Sequence, residues 1–226
     1  MLLYKFGKLI AANFIRRINK FLIEVDLDGE IVECHLHDPG RLKEILKEGR
    51  KLLIIKKDGK RKTRYDAIAA FLNEWIVIHS GYHSLFAEKI LRNKLVKELK
   101  NYKIERKEYK FANSRIDFLL KNDKKCLLEV KGCTFEKDGI AFFPDAPTDR
   151  GRKHVLKLIE AMDDYNVAIL FLIMREANLF SPNWQIDKKF SNALKIAYEM
   201  GVKIIACRIK FNGRDVYYGG RIPIKI

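Results

Sequence analysis

Two β-rich runs decide the fold of the second half of this chain: Arg115-Ile116-Asp117-Phe118-Leu119-Leu120 and Cys126-Leu127-Leu128-Glu129-Val130-Lys131. The polar loop between them predicts a hairpin. Pairing Leu120 with Cys126 across that loop places Asp117 opposite Glu129, and Lys131 then lies on the same face as Glu129. Two carboxylates that face each other repel unless a cation lies between them. The register therefore predicts a metal site.

Helical and strand patterns alternate around this hairpin. Ser84 is expected to cap a helix whose apolar positions recur every 3 to 4 residues, at Leu85, Phe86, Ile90, Leu91, Leu95 and Leu99. Thr148 is expected to cap a second helix with a basic flank of Arg150, Lys153 and Lys157. Further strands are predicted at 139–143, 167–174 and 202–209, and a helix at 188–200. This order predicts a mixed α/β sheet with helices on its faces.

The first half of the chain reads instead as short strands, predicted at residues 9–17, 21–27, 30–36, 51–56, 64–71 and 75–79. One helix is predicted between the third and fourth strands, at residues 40–46. A small barrel with a helix in this place is the OB-fold pattern, and OB barrels bind single-stranded nucleic acid on a basic, aromatic face. The residues that could supply that face include Arg16, Arg17, Lys20, Arg61, Lys62, Arg64 and Tyr65. We therefore predict an OB-like domain at 1–80 and a mixed α/β domain at 81–226.

The amino-acid composition indicates the class of protein and the kind of partner that it binds. The chain has 226 residues, of which 48% are hydrophobic and 33% charged, and it has no apolar run long enough to cross a membrane. We expect a cytoplasmic protein with no membrane association. A net charge of +16 favours a polyanionic partner, DNA first and RNA second, although a Lys-rich soluble surface would give the same balance.

An Asp followed by Glu-x-Lys on the adjacent strand resembles the PD-(D/E)xK nuclease superfamily. A longer match is more specific, because three segments resemble the sugar fermentation stimulation protein A (SfsA) family. They are residues 114–118, residues 129–134 (Glu-Val-Lys-Gly-Cys-Thr) and residues 143–154 (Phe-Pro-Asp-Ala-Pro-Thr-Asp-Arg-Gly-Arg-Lys-His). The resemblance implies an N-terminal OB-like barrel, a C-terminal PD-(D/E)xK nuclease-like domain, DNA binding, and nuclease activity on a substrate that the motifs do not specify.

In the nuclease interpretation, the carboxylates of Asp117 and Glu129 and the carbonyl of Val130 hold Mg²⁺ or Mn²⁺. Lys131 positions the attacking water or offsets charge on the phosphate. Glu88, on the preceding helix, adds a ligand or orients water by analogy with related nucleases. Basic residues near the second helix are expected to hold phosphate: Arg150, Lys153 and Lys157.

Two other functions stay open from the sequence. The chain could be a non-catalytic DNA-binding transcriptional regulator of sugar metabolism that keeps the nuclease fold, or an RNA-processing enzyme. In place of a metal site, Glu129 could form only a surface ion pair with Lys131. His35 and His37 share one strand face as two metal ligands would, but with no third ligand in view we interpret them as hydrogen-bonded turn residues.

Overall fold

The computed structural model describes residues 1–59 and 61–226. The first part of the chain forms β1 (Leu2–Lys5), β2 (Ile10–Asn19), β3 (Leu22–Leu27), β4 (Glu30–His35), β5 (Lys51–Lys56), β6 (Tyr65–Phe71) and β7 (Trp75–Val77). The second part forms α1 (His83–Arg92), β8 (Lys103–Phe111), β9 (Ser114–Lys121), β10 (Cys126–Cys133), β11 (Phe135–Lys137), β12 (Ile140–Phe143), α2 (Asp149–Glu160), β13 (Asn166–Ile173), β14 (Leu179–Pro182), α3 (Lys188–Glu199), β15 (Lys203–Phe211) and β16 (Asp215–Arg221). Within the described ranges, none of the helices has the length and apolar character that a membrane span requires.

A six-stranded sheet in the order β4-β3-β2-β5-β6-β7 forms the first unit. A short parallel pairing of β4 with β6 closes five of these strands into a barrel. Asp28 and Gly29, between β3 and β4, have φ angles of 54° and 90°. Positive φ at both positions is what a tight two-residue hairpin turn requires. The predicted OB-like barrel is confirmed.

The helix predicted at residues 40–46 does not form, and the segment is a series of turns. Leu42 has a φ of 49°, which interrupts a right-handed helix, and the Leu46 N–H closes a single turn onto its carbonyl at 2.8 Å. The Arg41 and Leu42 N–H groups donate to the Asp145 carboxylate, at 2.8 and 3.3 Å. A partner more than a hundred residues away thus holds this segment in its turn conformation.

A seven-stranded sheet in the order β1-β16-β15-β13-β10-β9-β8 forms the second unit. Strands β10, β13 and β15 are parallel and buried on both faces, as their continuous apolar runs predict. On one face, Phe86 of α1 packs in a cluster with Phe118 and Leu128. On the other, α2 and α3 pack over a second cluster that includes Leu127 and Ile169. The predicted mixed α/β architecture is confirmed.

Two strands lie in places that the sequence did not predict. The first strand, β1, pairs with β16 in the larger sheet, so the barrel does not include the start of the predicted unit at residues 1–80. The strand predicted after the hairpin is β12, but it pairs with β11 and β14 in a separate three-stranded sheet. The main sheet therefore ends at β8 on its hairpin side.

The helix ends also differ from the predictions at α1 and agree at α2. The N-cap of α1 is Tyr82, without a side-chain cap bond, so the prediction that Ser84 caps it is wrong. This helix ends at Arg92 because Lys94 has a φ of 54°, and the apolar residues predicted beyond it pack outside the helix. Thr148 caps α2 as predicted, because its hydroxyl accepts a backbone N–H of the first turn at 3.0 Å.

Arg175, which follows β13, connects the two units and is only 7% exposed. Its guanidinium donates to Glu74, in the loop between β6 and β7, at 3.1 Å and to Glu136 of β11 at 3.0 Å. It also donates to the Thr134 carbonyl at 3.4 Å. Three acceptors from the barrel and the second unit therefore converge on one buried cation.

A second contact between the units contains Asp38, which follows the barrel strand β4. Its Oδ1 accepts the Gly40 N–H at 2.8 Å. Burial raises the pKa of Asp38 to about 6; the Gly40 hydrogen bond opposes the shift and the nearby charge of Asp145 adds to it. Ionised Asp38 is thus less favourable in the folded protein than in the unfolded chain.

We expect Asp38→Asn to stabilise the protein at pH 7.5 but not at pH 4. The folded pKa lies above the unfolded value, so the wild-type protein loses stability as the pH rises from about 4 through about 6, whereas asparagine has no proton to lose and still accepts the Gly40 N–H. The expected gain at pH 7.5 is about 1–2 kcal/mol. Urea unfolding at both pH values measures it. An equal difference at pH 4 and pH 7.5 would contradict the assignment.

Candidate active site

The hairpin of β9 and β10 has the predicted register. Its backbone pairs are Leu120–Cys126, Leu119–Leu127 and Phe118–Leu128. One step further in this register lies Asp117 opposite Glu129. At this position a side chain replaces a backbone acceptor, since Asp117 Oδ2 accepts the Val130 N–H at 2.7 Å. The carboxylate of Asp117 is thereby fixed against β10.

Glu129 is only 3% exposed, and two groups hold one of its oxygens. Oε1 accepts from Lys131 Nζ at 2.5 Å and lies 2.7 Å from Nδ1 of His154, on α2. The other oxygen, Oε2, is buried and has no hydrogen-bond partner among the described residues. A buried carboxylate oxygen without a partner is costly, and it is placed to bind a cation.

The two facing acids differ in charge state. Burial raises the pKa of Asp117 to about 7, and the charge of Glu129 adds to the shift. Burial also opposes ionisation of Glu129, but the hydrogen bonds and charges of His154 and Lys131 outweigh it and hold the pKa of Glu129 below its usual value. The surroundings of Glu129 thus favour its ionised form, whereas those of Asp117 favour its protonated form.

A third acid, Glu108, belongs to the same site and was missed by the sequence analysis. On β8, its neighbours pair with β9 as Lys107–Phe118 and Tyr109–Ile116. The same register brings Glu108 opposite Asp117, so three acids follow one another across three adjacent strands. Glu108 also has a φ of 52°, unusual for a strand residue, and such backbone strain concentrates at functional sites.

A cavity of about 620 Å³ opens above these acids. Its lining includes Glu108, Arg115, Asp117, Glu129, Lys131, Thr148, Arg150 and His154. The N-terminus of α2 therefore opens onto the cavity together with Arg150, as expected for an anion-binding position. Lys153 and Lys157 lie one and two turns further along α2, outside the lining.

A second cavity, of about 370 Å³, extends this space toward the barrel. The two share Ser80, Val130, Lys131, Phe143 and Thr148, so they form one cleft between the units. Lys20 lines it from the barrel side, and the half-buried His83 lines it from α1. A Cβ at Gly132 would lie 2.0 Å from the His83 ring, so glycine is required where β10 passes α1.

Glu88, predicted as a metal ligand, lies outside this cleft. Its carboxylate is bound at 2.8 Å by Arg92, one turn along α1, and at 2.8 Å by Lys107 of β8. Side chains alternate along a strand, so Lys107 and its partner Phe118 face α1, whereas Asp117 faces the cavity on the other side of the sheet. The prediction that Glu88 joins the metal site is not met by this geometry.

The basic residues predicted on the barrel face have mixed placements. Arg16 is exposed but paired with Glu24 at 2.7 Å. Arg17 stabilises the fold, because its guanidinium donates to five backbone carbonyls, including that of Gly40 at 2.7 Å. Arg64 is exposed and Tyr65 is partly buried on β6. Arg17 is therefore a structural residue and not a free cation for nucleic acid.

His35 and His37 also differ from their interpretation as hydrogen-bonded turn residues. The His35 ring stacks on Phe21, with centroids 6.2 Å apart. His37 lies instead beside Asp66 and His79, which provide the further ligand types that the sequence did not reveal. Asp66 belongs to β6 and His79 follows β7. Both are distant from His37 in sequence, so only the fold brings the three residues together.

Comparison with known proteins covers both units. Residues 15–78 match the family model described as "SfsA N-terminal OB domain", and residues 81–215 match "Sugar fermentation stimulation protein RE domain". The chain is 44% identical over 201 residues to a "Sugar fermentation stimulation protein homolog" of Methanothermobacter thermautotrophicus, covering 87% of this chain and 84% of that protein. A homolog of the same description from Thermosipho melanesiensis is 46% identical over 195 residues, covering 85% and 83%.

A solved structure has the same fold throughout. It is described as "The structure of Pyrococcus Furiosus SfsA in complex with Ca2+", and it matches this chain with a TM-score of 0.94 over 100% of both chains. The sequence identity between the two is 28%. Barrel, sheet and helices thus keep the same arrangement at that level of sequence difference.

Proposed function

The chain belongs to the sugar fermentation stimulation protein family, and on that premise we propose that it is a DNA-binding, divalent-metal-dependent nuclease that hydrolyses phosphodiester bonds. One observation carries the proposal. Asp117 and Glu129 face each other on the floor of a cleft, and Glu129 has one buried oxygen beside Lys131 that no described residue binds. A protein that only bound DNA would gain nothing from two facing acids, one buried and the other half-buried.

The donor set fits a hard divalent cation such as Mg²⁺ or Mn²⁺. The ligands would be the carboxylates of Asp117 and Glu129 with the backbone carbonyl of Val130, all oxygen donors. The Ca²⁺ complex of the Pyrococcus furiosus relative is consistent with a site of this chemistry. A bound cation supplies Lewis acidity, which withdraws charge from a phosphate oxygen and lowers the pKa of water.

The protein's own groups would orient the reactants. Lys131 Nζ donates to Glu129 at 2.5 Å. It would donate to water or phosphate instead when a cation neutralises that carboxylate. His154 holds Glu129 in place from α2. The first turn of α2, with Arg150, points N–H donors and a guanidinium into the same cavity, where they would bind the non-bridging oxygens of a phosphate.

The positive charge of the chain favours a nucleic acid as the substrate, and DNA is the one that we propose. The chain carries a net charge of +16, and cations reach the cleft from both units, with Lys20 on the barrel side and Arg115 and Arg150 on the other. Four further residues would contact the strand beyond the cleft: Arg64 and Lys153, which are exposed, and Tyr65 and Lys157, which are partly buried. Backbone binding of this kind weakens steeply with salt.

Cleavage assays test the proposal directly. Supercoiled plasmid and labelled single-stranded DNA are incubated with Mg²⁺ or Mn²⁺, with EDTA, and with RNA competitor. We expect metal-dependent strand breaks that EDTA abolishes and that RNA competes weakly. Salt-sensitive DNA binding without cleavage under either metal would instead support the non-catalytic regulator, and preferential RNA cleavage would support RNA processing.

We expect the third acid of the site to be Glu108 and not Glu88. Glu108→Gln removes a carboxylate from the cavity and should slow cleavage about tenfold or more, whereas Glu88→Gln breaks only a partly exposed ion pair and should leave the rate within about twofold. Single-turnover rates measure both. Normal activity of Glu108→Gln with loss of activity in Glu88→Gln would reverse the assignment.

We expect His154→Ala to weaken metal binding by about 10–100-fold, as removal of a group that orients a ligand does. Without the 2.7 Å contact, Glu129 can turn toward Lys131 and away from the cation. Calorimetric titration with Mn²⁺ measures the affinity. His154→Gln, whose amide can still donate to the carboxylate, is the matched control and should recover most of the affinity; equal loss in both variants would contradict the orienting role.

A further inference from the structure

A second group of potential metal ligands lies in the barrel, outside the cleft floor. His37 follows β4, Asp66 belongs to β6, and His79 follows β7. Asp66 Oδ2 lies 3.3 Å from His37 Nε2 and 3.7 Å from His79 Nε2. One donor atom from each residue thus lies within 4.8 Å of the others. Three potential ligands from three separate segments therefore converge.

The polar atoms of this group are buried and incompletely bonded. Asp66 is 2% exposed and His79 is 5% exposed. His37 Nε2 and both ring nitrogens of His79 are buried with no hydrogen-bond partner among the described residues. Buried polar atoms without partners are rare in folded proteins, and a missing ion is one of the few explanations. At 3.7 Å, His79 Nε2 is too far from the Asp66 carboxylate for a hydrogen bond, and the 3.3 Å contact of His37 Nε2 does not form one either.

Arg61 orients the carboxylate from the far side. Its Nη2 donates to Asp66 Oδ1 at 2.7 Å and its Nη1 donates to Oδ2 at 3.4 Å, so the guanidinium holds the carboxylate from one side while Oδ2 also faces the two imidazoles. Partners that hold a ligating carboxylate in this way are a regular feature of metal sites. The side chain of His37 is 30% exposed, so solvent and ions reach the group from the protein surface.

We propose that His37, Asp66 and His79 bind a transition-metal cation of the Zn²⁺ class, at a site separate from the oxygen-ligand site of Asp117 and Glu129. Two imidazoles and a carboxylate suit Zn²⁺, Co²⁺ or Fe²⁺, whereas Mg²⁺ prefers oxygen ligands alone. Three protein ligands leave a coordination position open on the exposed side of His37. The protein then carries two metal sites of different chemistry.

The proposed cation would connect the β4–β6 pairing that closes the barrel to the second unit. Strands β4 and β6 pair only through Cys34–Tyr65 and His35–Asp66, next to the ligands. His79 lies at the start of the segment that leads into α1, and the adjoining Ser80 donates to the His37 carbonyl at 2.7 Å. A metal here would stabilise barrel closure and fix the segment from which Ser80 and His83 reach the cleft.

Metal titration of the full chain tests the site without any activity assay. The protein is stripped with chelator, dialysed and titrated with Co²⁺, whose visible absorption reports imidazole coordination, and Zn²⁺ content is measured after dialysis. We expect one tightly bound ion per chain, and a higher melting temperature with Zn²⁺. The Co²⁺ absorption should be unchanged in Asp117→Asn, because that variant alters only the other site.

Three histidine variants decide the ligand set. His37→Gln and His79→Gln should each weaken Co²⁺ binding at least about tenfold and abolish the stabilisation by Zn²⁺. His35→Gln is the matched control, since this neighbouring histidine stacks on Phe21 and should keep full binding. His37 is partly exposed, so its variant should remain folded by circular dichroism. Unchanged Co²⁺ binding in folded His37→Gln, or no binding by the wild-type protein, would overturn the proposal.

Discussion

Asp117→Asn should abolish DNA cleavage, with a fall in the single-turnover rate of at least about 10³-fold, equivalent to about 4 kcal/mol of transition-state stabilisation. Asparagine keeps the shape of the side chain and can still accept the Val130 N–H, so the hairpin should retain its register. What is lost is the negative charge that, with Glu129, would hold the cation. The effect is therefore expected on metal binding and catalysis and not on folding.

Two measurements separate these effects. DNA binding, followed by fluorescence anisotropy in EDTA, should be unchanged or slightly tighter, because an acid has been removed from a basic cleft. Asp123→Asn, at an exposed position in the loop of the same hairpin, is the matched control and should cleave at the wild-type rate. If Asp117→Asn cleaves DNA as fast as this control, the carboxylate has no part in the reaction.

Arg175→Ala should lower the free energy of unfolding by about 3 kcal/mol, and the melting temperature by about 6–12 °C for a chain of this length. The substitution leaves Glu74 and Glu136 without their shared cation and the Thr134 carbonyl without a donor. Burial makes this loss large, because water cannot replace the guanidinium. Differential scanning calorimetry measures the change.

Arg16→Ala is the control for Arg175→Ala. Its ion pair with Glu24 has a shorter contact, 2.7 Å, but the Arg16 side chain is 67% exposed. Exposed pairs contribute about 1 kcal/mol or less, so this variant should unfold within a few degrees of the wild type. A similar loss in both variants would show that burial does not set the strength of these ion pairs.

The parts of the site that the sequence predicted depend on local periodicity. Strand alternation across one short loop was enough to place Asp117, Glu129 and Lys131 together. Glu108 could have been found by extending the same register to β8. The strand itself is hard to recognise, because its many charged residues hide the alternation of apolar and polar positions in Lys-Ile-Glu-Arg-Lys-Glu-Tyr-Lys-Phe. His154 carried a helical signal, since it lies one turn after Gly151 on the buried face of α2.

Other features depend on contacts distant in sequence and were not predictable in this way. Residues 40–46 have a helical spacing of apolar positions, yet Leu42 has a φ of 49° and the N–H groups of Arg41 and Leu42 are held by Asp145 of the second unit. Glu88 has the position on α1 that analogy favours, yet α1 packs on the face of the sheet opposite the cavity, where Lys107 binds Glu88. In each case a partner from another segment decides the conformation.

The pairing of β1 with β16 makes the barrel an insertion within the second unit. The chain starts the larger sheet, leaves to build the barrel over residues 10–77, and returns to complete the sheet. A truncated chain starting at residue 81 would therefore lack an edge strand and expose the backbone of β16 to pairing with other molecules. An isolated second unit would therefore require the first strand to be joined to α1 by a short linker in place of the barrel.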